Sequence, residues 1–156
     1  MDMETRAQIQ DFLADYAYAI DDDEVERWPG FFTEDGVYQI TTRENLDAGL
    51  PLGIMLCEGR GMMADRVEAL RSANIYEPHS YCHVLGPVVL GADSDDAISA
   101  RSNFQVIRTM QDGRTEIFAV GKYLDRIIMQ DGQPKLARRQ VVLESRRIDI
   151  LMVYPL

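Results

Sequence analysis

The chain has 156 residues, 46% hydrophobic and 27% charged, with a formal net charge of −10 and a pI near 4.6. That length fits one domain, 1–156, able to bury a core without staples, and the charge argues against nucleic acid or an anionic membrane as partner, since both need a basic surface. No apolar run approaches the ~20 residues that span a bilayer, the N-terminal MDMETRAQIQ has no signal core, and Cys57 and Cys82 read as reduced thiols, so a cytoplasmic protein is expected.

Ile9, Phe12, Leu13, Tyr16 and Ile20 recur at helical spacing and predict an amphipathic first helix. Asp21-Asp22-Asp23 follows, where the helix dipole disfavours negative charge, so the helix should stop there and an aspartate should cap the next. Asp23 to Trp28 reads as a short second helix ended by Pro29 and Gly30, with Phe31 and Phe32 anchored in the core. Glu34-Asp35-Gly36 reads as a turn into a strand, Val37 to Thr42, rich in β-branched and aromatic residues. Arg43 to Leu52 is polar, contains Gly49 and Pro51, and reads as a loop; Gly53 to Glu58 is a short apolar run.

The stretch Gly59 to Gly86 holds both histidines and one cysteine among dense charges, and is expected to contribute to any site or docking surface. Met63, Val67 and Leu70 give a narrow helical stripe, which Asn74 and Pro78 interrupt. From Ser80 the pattern alternates, with Tyr81, His83 and Leu85 on one face of a strand.

The C-terminal half reads as long strands. Ile98 to Met110 has one apolar face, Thr115 to Met129 is apolar on both, and Leu136 to Ser145 carries Ala137, Val141 and Leu143 on one side. Asp112-Gly113 and Asp131-Gly132 are hairpin signals. Ile148 to Leu156 is apolar to its last residue, the mark of a segment docked on the core or on a partner. Helices first and strands after predict an α+β fold, a half-open cone with N-terminal helices packed on a long curved antiparallel sheet.

Chemistry is sparse. The candidate metal donors are Cys57, Cys82, His79 and His83. A Rieske cluster needs two close Cys–His pairs, and Cys57 has no nearby histidine. His79 and His83, four apart on a strand, stand about 13 Å apart. An acid–base site of a dehydratase or isomerase would use His83 with Tyr38 or Asp22. Arg138-Arg139 and Arg146-Arg147 read as solvated or intrachain-paired bases, or as salt bridges across a subunit interface.

Several short runs, in order, carry a resemblance. Ala17-Ile20-Asp21 precedes Trp28-Pro29-Phe31-Phe32 and Gly36-Val37-Tyr38; then come Arg43-Glu44-Asn45, Gly49-Leu50-Pro51-Leu52 and Met63 through Arg71. Tyr76-Glu77-Pro78, His83-Val84-Leu85-Gly86, Phe118-Ala119, Gly121-Tyr123, Asp125 and Tyr154-Pro155-Leu156 complete the set. Together they resemble the small (β) subunit of Rieske non-heme iron aromatic ring-hydroxylating dioxygenases, among them those of salicylate 5-hydroxylase, anthranilate dioxygenase and terephthalate dioxygenase.

The resemblance implies the cone of nuclear transport factor 2 (NTF2-like, SnoaL-like) and an α3β3 hexamer with a large α subunit, in which the β subunits also meet as a trimer. It implies a Rieske 2Fe–2S cluster and a mononuclear iron(II) in the large subunit, with electrons from NAD(P)H through a reductase. The chain would then be the non-catalytic, structural part of an oxidoreductase of aromatic hydrocarbon catabolism, acting on an aromatic carboxylate. No catalytic, cofactor or metal residue is expected in it. Arg60, Asp65, Arg66, Arg71, His79, Tyr81, His83, Tyr154 and Leu156 are expected at partner interfaces, where charged helices and histidine-bearing strands form desolvated pairs. Relatives often carry an arginine before the histidine that matches His83, and this chain has Cys82.

Overall fold

The computed structural model describes residues 1–50, 53–73, 75–145 and 152–156. Helix α1 (Met3–Asp21) opens on Asp2, whose carboxylate accepts from the Thr5 N–H at 2.7 Å, satisfying a first-turn donor. Of the predicted stripe Ile9, Leu13, Tyr16 and Ile20 are buried and Phe12 is half-buried, and Ala17 is buried beside them. The expected short second helix is a 3-10 helix, Val25–Phe31, which runs past Pro29 rather than ending at it. Val25, Trp28 and Phe31 eclipse at three-residue spacing and all go into the core.

Strand β1 (Phe32–Thr42) starts five residues earlier than expected, because Glu34-Asp35-Gly36 is a bulge inside it rather than a turn before it. A Cβ on Gly36 would meet Phe32 Cβ and the Leu136 carbonyl at 2.9 Å, so the bulge needs glycine. The expected loop holds a one-turn helix, α2 (Arg43–Asp47), capped by the Thr42 side chain on the Asn45 N–H at 3.2 Å. Then follow β2 (Met55–Glu58), α3 (Arg60–Ser72), β3 (His79–Leu85), β4 (Val89–Ala92), β5 (Ile98–Met110), β6 (Thr115–Gln130) and β7 (Gln133–Leu143).

The sheet runs β2-β1-β7-β6-β5-β3, with β4 on the same side of β5 as β3. The β5–β6–β7 meander is antiparallel, as read from its hairpin turns, but β1 pairs with β7 in parallel. The expected antiparallel sheet is therefore mixed. Period-two alternation does not encode direction, and the helical crossover between β1 and the meander brings the two strands side by side the same way round. Strands β6 and β7 approach closely: a Cβ on Gly121 would lie 2.2 Å from the Val142 carbonyl oxygen. Helices α1 and α3 and the 3-10 turn close the concave face. The core there joins Trp28, Tyr16, Phe32, Tyr38, Met63 and Tyr123.

Candidate functional site

The concave interior is where chemistry would be expected, and the chain's own side chains fill it. Arg139 on β7 and Asp125 on β6 are cross-strand partners, and both face inward. They form a bidentate pair, Nε to Oδ1 at 2.9 Å and Nη2 to Oδ2 at 2.7 Å, with 2% and 1% of the side chains exposed. The guanidinium lies between two rings, 4.1 Å from the Tyr16 centroid and 4.0 Å from that of Tyr123. Burial works against its charge, but Asp125 outweighs burial and lifts the pKa of Arg139 above its ordinary value. Of the readings open to Arg139, the intrachain ion pair holds, and the pair is buried rather than solvated. Residue 139 has the same strand parity as Val141 and Leu143, so it turns inward, and Asp125 stands opposite. Arg138 turns outward and donates to the Gln39 amide oxygen at 3.2 Å; Arg146 and Arg147 lie outside the described residues.

A polar chain crosses the same interior. The Trp28 indole N–H donates to the Tyr16 hydroxyl at 3.0 Å, and that hydroxyl donates to the Leu156 carbonyl at 3.1 Å. The Tyr38 hydroxyl donates to the same carbonyl at 3.1 Å and accepts from the Leu156 N–H at 2.8 Å. Leu156 is fully buried, and Val153 and Tyr154 nearly so. Of the two dockings open to the apolar end, residues 153–156 take the core; residues 146–151 lie outside the described residues.

Burial pushes the Tyr16 hydroxyl up to about 12, with Arg139 opposing, and burial likewise holds Tyr38 and Tyr123 well above the ordinary value. The unfolded chain releases these protons first, from about pH 10, so above that pH it binds fewer protons than the fold and stability falls as pH rises. The expected result is a stability insensitive to these tyrosines below pH 10 and lost between about pH 10 and 12, with tyrosinate absorbance rising together with loss of secondary structure.

His83 has a carboxylate partner, but not one that the sequence suggested. Its Nδ1 lies 2.6 Å from Asp21 Oδ1, and its backbone N–H donates to Asp21 Oδ2 at 2.8 Å. Asp22 caps α1 and is exposed, and Tyr38 is committed to Leu156. Asp21 sits four residues after Ala17 on the buried stripe of α1, a spacing that could have singled it out. The imidazole is fully enclosed and Asp21 nearly so, and the pair fastens the end of α1 to β3.

The remaining sequence candidates fall in two groups. His79 and Tyr81 stand 5.3 Å apart by ring centroid along β3, with Tyr154 5.5 Å from each and Phe118 stacked on Tyr81 at 5.3 Å. Beside them is a cavity of about 60 Å³ lined by Asp21, Asp23, His79, Tyr81 and Tyr154. On α3, Arg60 donates twice to the Phe32 carbonyl, at 2.8 and 2.5 Å, and Arg71 bridges Asp23 and Glu26 at 2.9 and 2.6 Å. Asp65 and Arg66 are exposed. Tyr81, Tyr154 and Leu156 are buried within this chain and the His83 side chain is enclosed, because strand parity and the docked apolar end turn them toward the core.

The donor set does not suit iron. Cys57 is buried on β2 and Cys82 exposed on β3, while His83 Nδ1 is taken by Asp21. Among the described residues no three His, Cys, Asp or Glu side chains gather as a metal site. These residues fit neither a Rieske cluster nor a mononuclear iron. Among the described residues no helix is long and apolar enough to cross a membrane.

Comparison with known proteins agrees with the fold. The SnoaL-like domain family matches residues 1–140. The chain is 46% identical over 150 residues to the beta 2 subunit of the terminal oxygenase component of terephthalate 1,2-dioxygenase from Comamonas sp., covering 96% of this chain and 97% of that one. It is 36% identical over 155 residues to the small subunit of anthranilate 1,2-dioxygenase from Burkholderia cepacia, covering 99% and 96%. A crystal structure of the beta subunit of an aromatic-ring-hydroxylating dioxygenase from Novosphingobium aromaticivorans superposes with a TM-score of 0.89 at 39% identity, over 99% of this chain and 100% of that one.

Proposed function

The chain belongs to the SnoaL-like domain family and, within it, to the small subunits of aromatic ring-hydroxylating dioxygenases, and on that premise we propose that it is the structural, non-catalytic subunit of such an oxygenase. It works as one domain in the cytoplasm, bound to a large subunit in a hexamer whose small subunits also contact one another as a trimer. The large subunit carries the Rieske cluster and the mononuclear iron(II), electrons come from NAD(P)H through a reductase, and an aromatic carboxylate is hydroxylated. The terephthalate and anthranilate relatives support that substrate class.

The observation that carries the reading is the filled interior. Where an enzyme of this shape would admit a substrate, the Arg139–Asp125 pair, the aromatic side chains and Leu156 occupy the space. The exposed face of α3, with Asp65 and Arg66, and the β3 edge at His79 are assigned to partner contacts. Arg60 and Arg71 hold that surface from behind by tying α3 to Phe32, Asp23 and Glu26.

A second reading, a stand-alone dehydratase or isomerase, draws on the 2.6 Å contact between His83 and Asp21. His83→Ala separates the two. As it removes the imidazole from Asp21 Oδ1 while the backbone N–H at residue 83 still donates to Oδ2, the substitution is expected to cost about 1 kcal/mol of stability. Turnover per iron in the assembled oxygenase is expected to be unchanged. Turnover by the isolated wild-type chain that a folded His83→Ala variant has lost would establish the catalytic reading instead.

A further inference from the structure

The face of the sheet turned away from α1 carries a groove of about 710 Å³ that runs between Leu46 and Val89, a size within the roughly 300–1,000 Å³ of small-molecule sites. The strand register builds it. Val89, Arg101, Leu124 and Gln140 stand in one row across β4, β5, β6 and β7. Their chain neighbours Ala100, Tyr123 and Arg139 are buried on the inner face, so alternation turns this row outward.

The groove is basic. One step along the outer face, Arg126 and Arg138 are direct cross-strand partners, and like charges directly opposite each other destabilise a sheet. Arg126 is neutralised at the β4–β5 turn, where Nε lies 3.4 Å from Asp93 Oδ2 and Nη2 3.3 Å from Asp95 Oδ2. Arg138 donates to a neutral group, the Gln39 amide oxygen, at 3.2 Å. Arg101 is exposed and forms no ion pair among the described residues. The chain has 26 Asp and Glu against 16 Lys and Arg, so carboxylates are plentiful, yet neither of these guanidinium groups is given one. Arg101 and Arg138 stand on the strands either side of β6, about 10 Å apart across the sheet. Side chains of that length can close on one carboxylate above Leu124, and the planar fork of arginine meets both of its oxygens.

The walls are apolar. Leu46 on α2 is 37% exposed and Val89 on β4 is 59% exposed. Exposed aliphatic side chains rimmed by charge mark a ligand groove. A slot between two aliphatic walls, floored by a strand, suits a flat ring. An inorganic anion would leave those walls wet, and a neutral ring would leave the arginines unpaired. We propose that this groove binds an aromatic carboxylate, with its ring on Leu124 between Leu46 and Val89 and its carboxylate held by Arg101 and Arg138. The choice of a ring also rests on the substrate class proposed above.

The test is a titration of the full chain with benzoate, read by calorimetry and ligand-observed NMR. Acetate, which lacks the ring, and benzyl alcohol, which lacks the charge, are the controls. The expected result is saturable benzoate binding, tighter than either control by about 10-fold or more. Arg101→Gln/Arg138→Gln, checked for folding by circular dichroism, should weaken benzoate binding by about 10-fold or more. Leu46→Glu should weaken it too, and serves if the double variant does not fold. In the assembled oxygenase the wild type should take up one more benzoate per small subunit than the double variant. Equal uptake there means that another subunit covers the groove, and it overturns the proposal. So does the absence of saturable binding, or binding that a folded variant retains. Acetate bound as tightly as benzoate means an adventitious ion only, and overturns it as well. Each of these failures leaves the subunit reading standing, because that reading turns on assembly and iron content.

Discussion

Replacing Arg139 alone by methionine is expected to destabilise the fold by about 3–5 kcal/mol, because it strands the buried Asp125 carboxylate in the core. A domain of this kind is stable by about 5–15 kcal/mol, so the variant should unfold at a much lower urea concentration. The substitution also removes the cation from between the Tyr16 and Tyr123 rings. Asp125→Leu alone should do comparable harm, since it leaves the guanidinium unpaired. The double variant, Arg139→Met with Asp125→Leu, should recover most of the loss, because two apolar side chains of similar volume leave no buried charge. Urea unfolding of the three variants measures the coupling directly. A double variant as unstable as the singles would mean that the pair is needed for something other than each other.

Trp28→Ala is expected to cost about 3–5 kcal/mol. The indole is 1% exposed and packs edge-on against Phe32 and Tyr38, with ring centroids 6.1 and 5.0 Å away. Its loss leaves a cavity and removes the N–H donor to the Tyr16 hydroxyl. Trp28→Phe keeps most of the apolar volume and should lose much less, so the difference between the two variants in thermal unfolding separates packing from the hydrogen bond. Equal melting temperatures for Trp28→Ala and the wild type would mean that the interior is not the tight core described.

Much of this fold is legible in the sequence, and the parts that are not have physical reasons. The stripe of α1 and the β5–β6–β7 meander follow from helical spacing, alternation and two Asp-Gly turns. The parallel pairing of β1 with β7 is not legible, because alternation reads the same in both directions. Glu34-Asp35-Gly36 has turn composition, yet its glycine serves a bulge where another strand's backbone comes close. Arg139 was within reach: its parity with Val141 and Leu143 places it inside. What was missing is the register that sets Asp125 opposite it. Asp21 was within reach for the same kind of reason, four residues after Ala17, but His83 lies 62 residues away and nothing local joins them.

The candidate interface residues divide along the same line. Side-chain type singles out Tyr81, His83 and Leu156, and the structure encloses their side chains within this chain.

The central claim, a structural subunit whose chemistry belongs to a partner, is tested most directly by isolating the chain from its native cells and measuring native mass and iron content. The account predicts that a larger, brown, iron–sulfur chain comes with it in equal amount, and that the iron stays with that chain when the two are separated. Isolation of the chain alone, colourless and iron-free, and turning over a substrate by itself, would contradict the account. The buried pair of His83 and Asp21 would then be the place to look for catalysis.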